Sequence, residues 1–247
     1  MQIRLDKFLA ECGCGTRSEV KSTIRKKQVT INGTTAVKPE QKINPETDSI
    51  CCSGKKLVYE QFSTFLFYKP AGCVTARTDK TEKTVMDYFP DSMKKSHAPV
   101  GRLDKDTEGI LLITNDGTLN HRLSSPSYHV NKTYYAVLDS PVPEEAAGCF
   151  LKGVDIGDEK PCLPAKLVIL PERAENAVYT AELTVCEGRF HQVKRMFAAV
   201  GCKVLHLKRL TFAGLSLKGL EKGSYRKLTE EEISDLMQMA SLKNERV

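Results

Sequence analysis

The sequence predicts an α+β protein in two domains, and three observations carry the prediction. A length of 247 residues suffices for one well-buried domain and a small second one. The N-terminal part reads as two short amphipathic helices and a hairpin. Beyond a polar junction, "SGKKLVYEQFS" at 53–63, strand-like apolar runs mix with helical patterns for the rest of the chain. The expected domains are 1–58 and 63–240.

Near the N-terminus Leu5, Phe8, Leu9 and Cys12 fall at i, i+3, i+4 and i+7, one helical face, and "GCG" at 13–15 stops that helix. Thr16 and Glu19 form a T-x-x-E capping box for a second helix, whose buried side is Val20 and Ile24. Arg17, Lys21 and Arg25 stand at successive i+4 steps beside that side, and Lys26 and Lys27 extend them into a basic stripe. The run "QVTINGTTAV" then alternates about Asn32-Gly33, a dipeptide suited to a type I′ hairpin turn.

In the second domain "TFLFYKPAG" is a strand running into a turn, and "GILLITNDG" is a buried strand ending in a turn. "LNHRLSSP" is a short helix stopped near Pro126, and "TYYAVL", "AKLVIL" and "AVYTAELTV" are further strands. "RFHQVKRMFAAVG" is a helix with Val193, Met196, Phe197 and Val200 on one face and Gly201 as its C-cap.

The 37 Lys and Arg against 31 Asp and Glu give +6, a balance that suits a polyanionic partner where the charge clusters. The nine cysteines are odd in number and contain no C-x-x-C pair, which predicts reduced thiols and no zinc site. No run of about 18 apolar residues occurs, so the expected protein is soluble and cytoplasmic, with no membrane partner.

"GRLDKDTEG" at 101–109 places Asp104, Asp106 and Glu108 at every second position. If extended, the three would share a face, as in a site for Mg²⁺ or Ca²⁺, yet the segment lacks the length and turn glycine of a calcium loop. Asp104-Lys105-Asp106-Thr107 also resembles the D-x-D-x-T motif of the haloacid dehalogenase superfamily. That motif ends a buried parallel strand, whereas "KKSHAPVGR" precedes Asp104. The remaining reading makes Asp104 a lone nucleophile and its two neighbours local polar residues.

Two resemblances bear on these alternatives. "RLDKFLAECGCGTRSEVKSTIRKKQVTING" resembles the S4 domain, a small RNA-binding module. "GRLDKDTEGILLITNDG" resembles the pseudouridine synthase signature, in which an Arg-Leu-Asp triplet carries the catalytic aspartate. "KTYYAVL" is similar to the motif of the active-site tyrosine, "EGRFHQVKRMFAAVG" to the third motif, and "YKPAGCVT" to the Lys-Pro-x-Gly turn that opens the catalytic domain. With "GSYRKLTEEE" near the end, the chain is most similar to the RsuA type, which acts on small-subunit ribosomal RNA; sister enzymes for large-subunit RNA share most of these motifs.

The resemblance implies a catalytic domain on a mixed, largely antiparallel sheet, with catalytic residues Asp104, Tyr134 and Lys194. It implies RNA contacts from Arg4, Arg17, Ser18, Lys21, Arg25, Lys26 and Lys27 in the small domain and from Arg102 and Arg189 in the large one. The implied partner is 16S ribosomal RNA or a small-subunit assembly intermediate, met by a monomer. The isomerisation gains and loses no atom, so it implies no metal and no cofactor.

Asp104 then attacks C1′ or C6 of a uridine, or removes its 2′ proton. A carboxylate in a dry pocket needs a fixed cation to stay ionised, and Lys194 is expected to supply it, with Arg195 as the alternative partner. Tyr134 would stack on the uracil, with Tyr135 on the opposite strand face. Arg102 would contact phosphate, occupy the space the flipped nucleotide leaves, or pair with Asp106. His191 and Gln192 fall outside the expected catalytic set, and Asp106 and Glu108 are expected to be dispensable for the chemical step. A non-catalytic RNA-binding factor and a metal-dependent phosphohydrolase are the rival readings.

Overall fold

A computed structural model of the chain describes residues 2–59, 61–171 and 179–242, and the chain divides between Phe62 and Ser63. In the first unit β1 (Ile3–Arg4) leads into α1 (Leu5–Glu11), and α2 (Arg17–Arg25) follows. The Thr16 N–H donates to Glu19 Oε2 at 2.6 Å and the Glu19 N–H to Thr16 Oγ1 at 3.3 Å, closing the expected capping box.

Leu5, Phe8, Leu9, Val20 and Ile24 are fully or almost fully buried in one cluster with Val29, Ile43 and Ile50. Cys12 caps α1 rather than continuing it, and burial pushes its thiol up to about 11. Asn32 and Gly33 take φ of 51° and 81° between β2 (Val29–Ile31) and β3 (Thr34–Thr35), the left-handed pair a type I′ turn requires. The hairpin belongs to a larger sheet, which β5 (Ile50–Cys52) and β6 (Lys55–Lys56) extend in the order β3-β2-β5-β6, while β4 (Lys42–Ile43) pairs with β1 in a separate two-stranded sheet.

The second unit is built on one sheet, in the order β11-β12-β10-β13-β9-β7-β15. These strands are β7 (Thr64–Lys69), β9 (Glu108–Thr114), β10 (Lys132–Leu138), β11 (Lys166–Ile169), β12 (Tyr179–Val185), β13 (Val204–Phe212) and β15 (Tyr225–Lys227); β8 (Ala98–Val100) joins β9 and β14 (Leu215–Ser216) joins β13. β9 and β13 run parallel while the other named pairs run antiparallel, which gives the mixed, largely antiparallel sheet that the resemblance implied. Of the stretch expected as a strand at 177–185, Ala177 and Val178 lie outside the described residues.

β9 is buried along its whole length because both faces are covered, which is why it reads as a continuous apolar run. Leu111 and Ile113 pack with Phe67, Tyr134, Leu183, Met196 and Phe197 on one face, beneath α5 (Ala146–Lys152) and α6 (Gln192–Ala199). Ile110 and Leu112 pack with Leu66, Leu119, Leu123, Phe212 and Leu236 on the other, beneath α4 (Gly117–Ser124) and α7 (Glu230–Leu242). α3 (Asp91–Ser96) is a short link into β8.

β13 escaped the sequence reading. Its "VLHLKRLTF" sets Lys208 and Arg209 side by side, which breaks a two-residue apolar alternation. The structure resolves the conflict by burying Arg209 completely, at 1% exposure.

The parallel contact depends on a glycine. Gly109 lies opposite Arg209 with φ of +119°, and a Cβ there would stand 2.2 Å from the Arg209 carbonyl oxygen. Gly101 also has positive φ, +66°, but faces open space. Gly109→Ala therefore costs upward of about 3 kcal/mol and Gly101→Ala about 1 kcal/mol, a contrast that denaturant unfolding of the two variants measures.

His97 follows α3, is buried, and is hydrogen bonded to Ser63 Oγ through Nε2 at 2.8 Å and to Ser96 Oγ through Nδ1 at 2.9 Å. Burial holds its imidazole below the ordinary histidine value of 6.5. The unfolded chain then binds the proton more tightly than the folded one. The contribution of His97 is complete above pH 6.5 and is lost as pH falls toward the lowered folded value. Melting temperature should drop between pH 7.5 and 5.5 (~2 units), and the drop should be smaller in His97→Gln.

Candidate active site

The loop from Gly101 to Thr107 is held from two sides. Lys69, at the end of β7, is wholly buried, and its Nζ donates to the carbonyls of Pro70 (3.1 Å), Asp104 (3.0 Å), Lys105 (3.3 Å) and Thr107 (2.8 Å). Thr75 Oγ1 donates to the Leu103 carbonyl at 2.6 Å and accepts from the Leu103 N–H at 3.1 Å. With the Thr107 N–H donating to the Asp104 carbonyl at 3.1 Å, the segment is a turn and not an extended strand.

That turn spreads the three carboxylates. Asp104 faces a cavity of about 640 Å³, lined also by Arg102, Thr107, Tyr134, Phe190, His191 and Arg209. Asp106 turns outward to Lys194, and Glu108 is buried against Lys222, whose Nζ lies 2.9 Å from Oε2. Among the described residues no group of three or more His, Cys, Asp or Glu side chains is placed to hold a metal ion.

Lys194 stands between two of the carboxylates. Its Nζ donates to both oxygens of Asp106 at 2.7 Å and stands 3.8 Å from Asp104 Oδ2. This ammonium holds the Asp106 carboxyl below the usual carboxylate range. Asp106 is thus a tether for the cation, and Arg102 does not pair with it. Arg102 is exposed on the cavity rim.

Arg195 is committed elsewhere: its guanidinium donates to Asp158 Oδ1 at 2.5 Å, to the Ile156 carbonyl at 2.6 Å and to the Phe190 carbonyl at 3.2 Å. Lys194 therefore remains the nearer cation to Asp104. Arg189, expected against RNA, is likewise spent internally, on Glu187 Oε2 (3.1 Å) and on the Lys160 and Pro161 carbonyls (2.6 and 2.7 Å). Arg4 forms a two-pronged pair with Asp6, at 3.0 and 2.8 Å. Arg189 and Arg195 thus fasten the segment at 156–161, about thirty to forty residues away in sequence, whereas Arg4 pairs with a residue two positions on.

Phe190 and His191, outside the expected set, also lie at the site. His191, in the left-handed conformation with φ of 50° just before α6, brings Nε2 to 3.6 Å from Asp104 Oδ1. Phe190 is 75% exposed and stacks on the His191 ring at 3.8 Å. Gln192 is structural: its Oε1 accepts the Arg189 N–H at 3.0 Å and its Nε2 donates to Glu187 at 2.9 Å. Tyr134 lines the cavity from β10, and Tyr135, on the alternate face of that strand, does not.

In the first unit Arg17, Ser18, Lys21, Arg25, Lys26 and Lys27 are all exposed on or just after α2, and among the described residues none of these cations holds an ion pair. The stripe is a free basic surface of the kind that meets phosphates. Among the described residues no helix is long and apolar enough to cross a membrane.

Residues 63–199 match the family model of RNA pseudouridylate synthase, and residues 3–49 match that of the S4 domain. The chain is 40% identical to ribosomal small subunit pseudouridine synthase A of Haemophilus influenzae over 95% of its length and 100% of the relative's. It is 36% identical to ribosomal large subunit pseudouridine synthase B of Bacillus subtilis over 96% of each. A crystal structure of a pseudouridylate synthase aligns with a TM-score of 0.66 at 39% identity, covering 95% of this chain and 99% of that one. The motifs, the mixed sheet and the matched sequences agree: the chain belongs to the RNA pseudouridylate synthase family.

Proposed function

We propose that this chain isomerises one uridine of ribosomal RNA to pseudouridine, with Asp104 as the nucleophile and with no metal or cofactor in the reaction. The observation that carries the reading is the Asp104 carboxylate at a cavity shared with Tyr134, with Lys194 at 3.8 Å and His191 at 3.6 Å. The cavity lies in the range of small-ligand pockets and suits one extruded nucleotide.

Chemically, the N1–C1′ bond breaks, the uracil turns, and C5 is joined to C1′ while the C5 proton leaves and N1 takes up a proton. Atoms and electrons balance within the substrate, so neither an oxidant nor a leaving group has to be supplied. Asp104 serves as nucleophile at C1′ or C6, or as base at the 2′ position. Lys194, tethered by Asp106, sets an ammonium 3.8 Å from Asp104 Oδ2, and Tyr134 offers a flat apolar ring to the base. The basic stripe of the S4 domain holds RNA through phosphates while the cavity receives the uridine, and the enzyme works as a monomer in the cytoplasm.

The substrate is small-subunit 16S RNA, by analogy with the named small-subunit relative; the large-subunit relative supports 23S RNA as the second reading. Incubation of the purified protein with unmodified 16S and 23S RNA fragments and with subunit precursors, followed by chemical mapping of pseudouridine, separates the two. A product in 16S RNA is expected. Product in 23S RNA alone selects the second reading, and no product on any RNA overturns both.

Asp104→Asn should abolish product, by at least about a thousandfold, and leave RNA affinity within about threefold. Lys194→Met should slow the single-turnover rate about a hundredfold, and Asp106→Asn by about tenfold or less, because it removes the tether and leaves the cation.

A further inference from the structure

Two buried side-chain polar atoms lack a hydrogen-bond partner among the described residues, Thr107 Oγ1 and Arg209 Nη2, and both residues line the cavity that Asp104 and Tyr134 share. Each residue is 1% exposed. Arg209 Nε donates to the Ile110 carbonyl at 2.8 Å and the guanidinium carbon lies 4.7 Å from the Phe212 ring centre. Among the described residues it has no carboxylate within ion-pair distance. A buried, unpaired cation with an idle donor is costly, and native folds keep few such groups. Here two stand at one cavity.

Their placement is tied to the rest of the site. Arg209 lies opposite Tyr134 across β10 and β13, and opposite Gly109 across β13 and β9. Thr107 ends the Asp104 turn, with its own N–H on the Asp104 carbonyl at 3.1 Å and its carbonyl receiving Lys69 at 2.8 Å. Both backbones are therefore fixed, Arg209 between two strands and Thr107 at the end of the clamped turn.

We propose that Arg209 and Thr107 bind the carbonyl and imide edge of the extruded uracil, Arg209 donating to a ring carbonyl oxygen and Thr107 accepting from N3–H. The inference rests on the uridine-isomerising function proposed above. When N1–C1′ breaks, its electron pair leaves with the ring and the charge spreads over O2 and O4, whether C1′ becomes bonded to Asp104 or, after loss of the 2′ proton to Asp104, doubly bonded to C2′. Attack at C6 instead places the charge on O4 through C5. In every route the ring oxygen is more negative in the transition state than in the bound substrate, so a fixed guanidinium favours the transition state.

The test uses single-turnover rates on a substrate RNA fragment carrying uridine, 2-thiouridine or 4-thiouridine at the target position. Sulfur is the poorer acceptor, so at one of the two positions the uridine-to-thiouridine rate ratio should be about tenfold larger in the wild type than in Arg209→Lys. Equal ratios at both positions overturn the assignment of Arg209.

Thr107→Val keeps the shape and removes a hydroxyl without a partner. Its melting temperature should be unchanged or higher while the rate on uridine falls about tenfold at unchanged RNA affinity. A wild-type rate in Thr107→Val, or a rate lost in step with stability, overturns the assignment of Thr107, and this variant decides the matter should Arg209→Lys fail to fold. Wild-type product with unchanged variants overturns this inference alone; no product from the wild type on any RNA overturns the proposed function with it.

Discussion

A lysine ammonium with no exposed surface holds the site in shape. Lys69 donates to four backbone carbonyls, three of them belonging to Asp104, Lys105 and Thr107. Burial lowers its pKa, while Cys73 and the carboxylates of Asp104, Asp106 and Glu108 pull the other way. A cation placed there draws the carbonyls inward and turns the side chains of the same residues outward. The sharp turn is the geometric consequence. The Gly72 N–H adds to it by donating to the Lys105 carbonyl at 2.7 Å.

From that turn follows the division of labour among the acidic residues. An extended segment would have gathered Asp104, Asp106 and Glu108 on one face. The clamped turn instead separates their partners: Asp106 is bound by Lys194, Glu108 by Lys222, and Asp104 has Lys194 and the His191 ring at longer range. Asp104 is the one of the three whose oxygens are not taken up by a direct lysine hydrogen bond, which leaves them accessible to a substrate. Asp106, exposed and paired, restrains Lys194 without competing for the cavity.

Much of this architecture was legible because it is local. The capping box at Thr16 and Glu19, the Asn32-Gly33 turn and the helix carrying Val193, Met196 and Phe197 are each specified by residues within a few positions of one another. Asp104, Tyr134 and Lys194 were found by resemblance to motifs, and the structure brings Asp104 and Tyr134 to one cavity with Lys194 at its edge. What stayed hidden depends on distant pairings. Lys69 and the carbonyls it binds at Asp104–Thr107 are 35 to 38 residues apart, Lys194 and Asp106 are 88 apart, and Arg209 and Ile110 are 99 apart. Arg189 looks like an RNA contact and Arg195 like an alternative partner for Asp104 until Asp158 meets them both. A period reports which face a residue occupies, and a charge says nothing of the acceptor it will meet.

The place where the cavity forms has a structural cause of its own. β9 and β13 run parallel for only two residue pairs, Glu108 with Lys208 and Gly109 with Arg209. On the other side of β13 the register with β10 shifts between Thr133 and Tyr134, so Leu210 is left over opposite that step. Such an irregularity bends a strand and re-aims its side chains. Here it coincides with the residue where Gly109 permits close approach and where Arg209 crosses to the Ile110 carbonyl. The irregular junction accommodates a buried cation opposite Tyr134, on the cavity that Asp104 also lines. The irregularity, the close glycine contact and the buried cation thus meet at one residue of β13, Arg209.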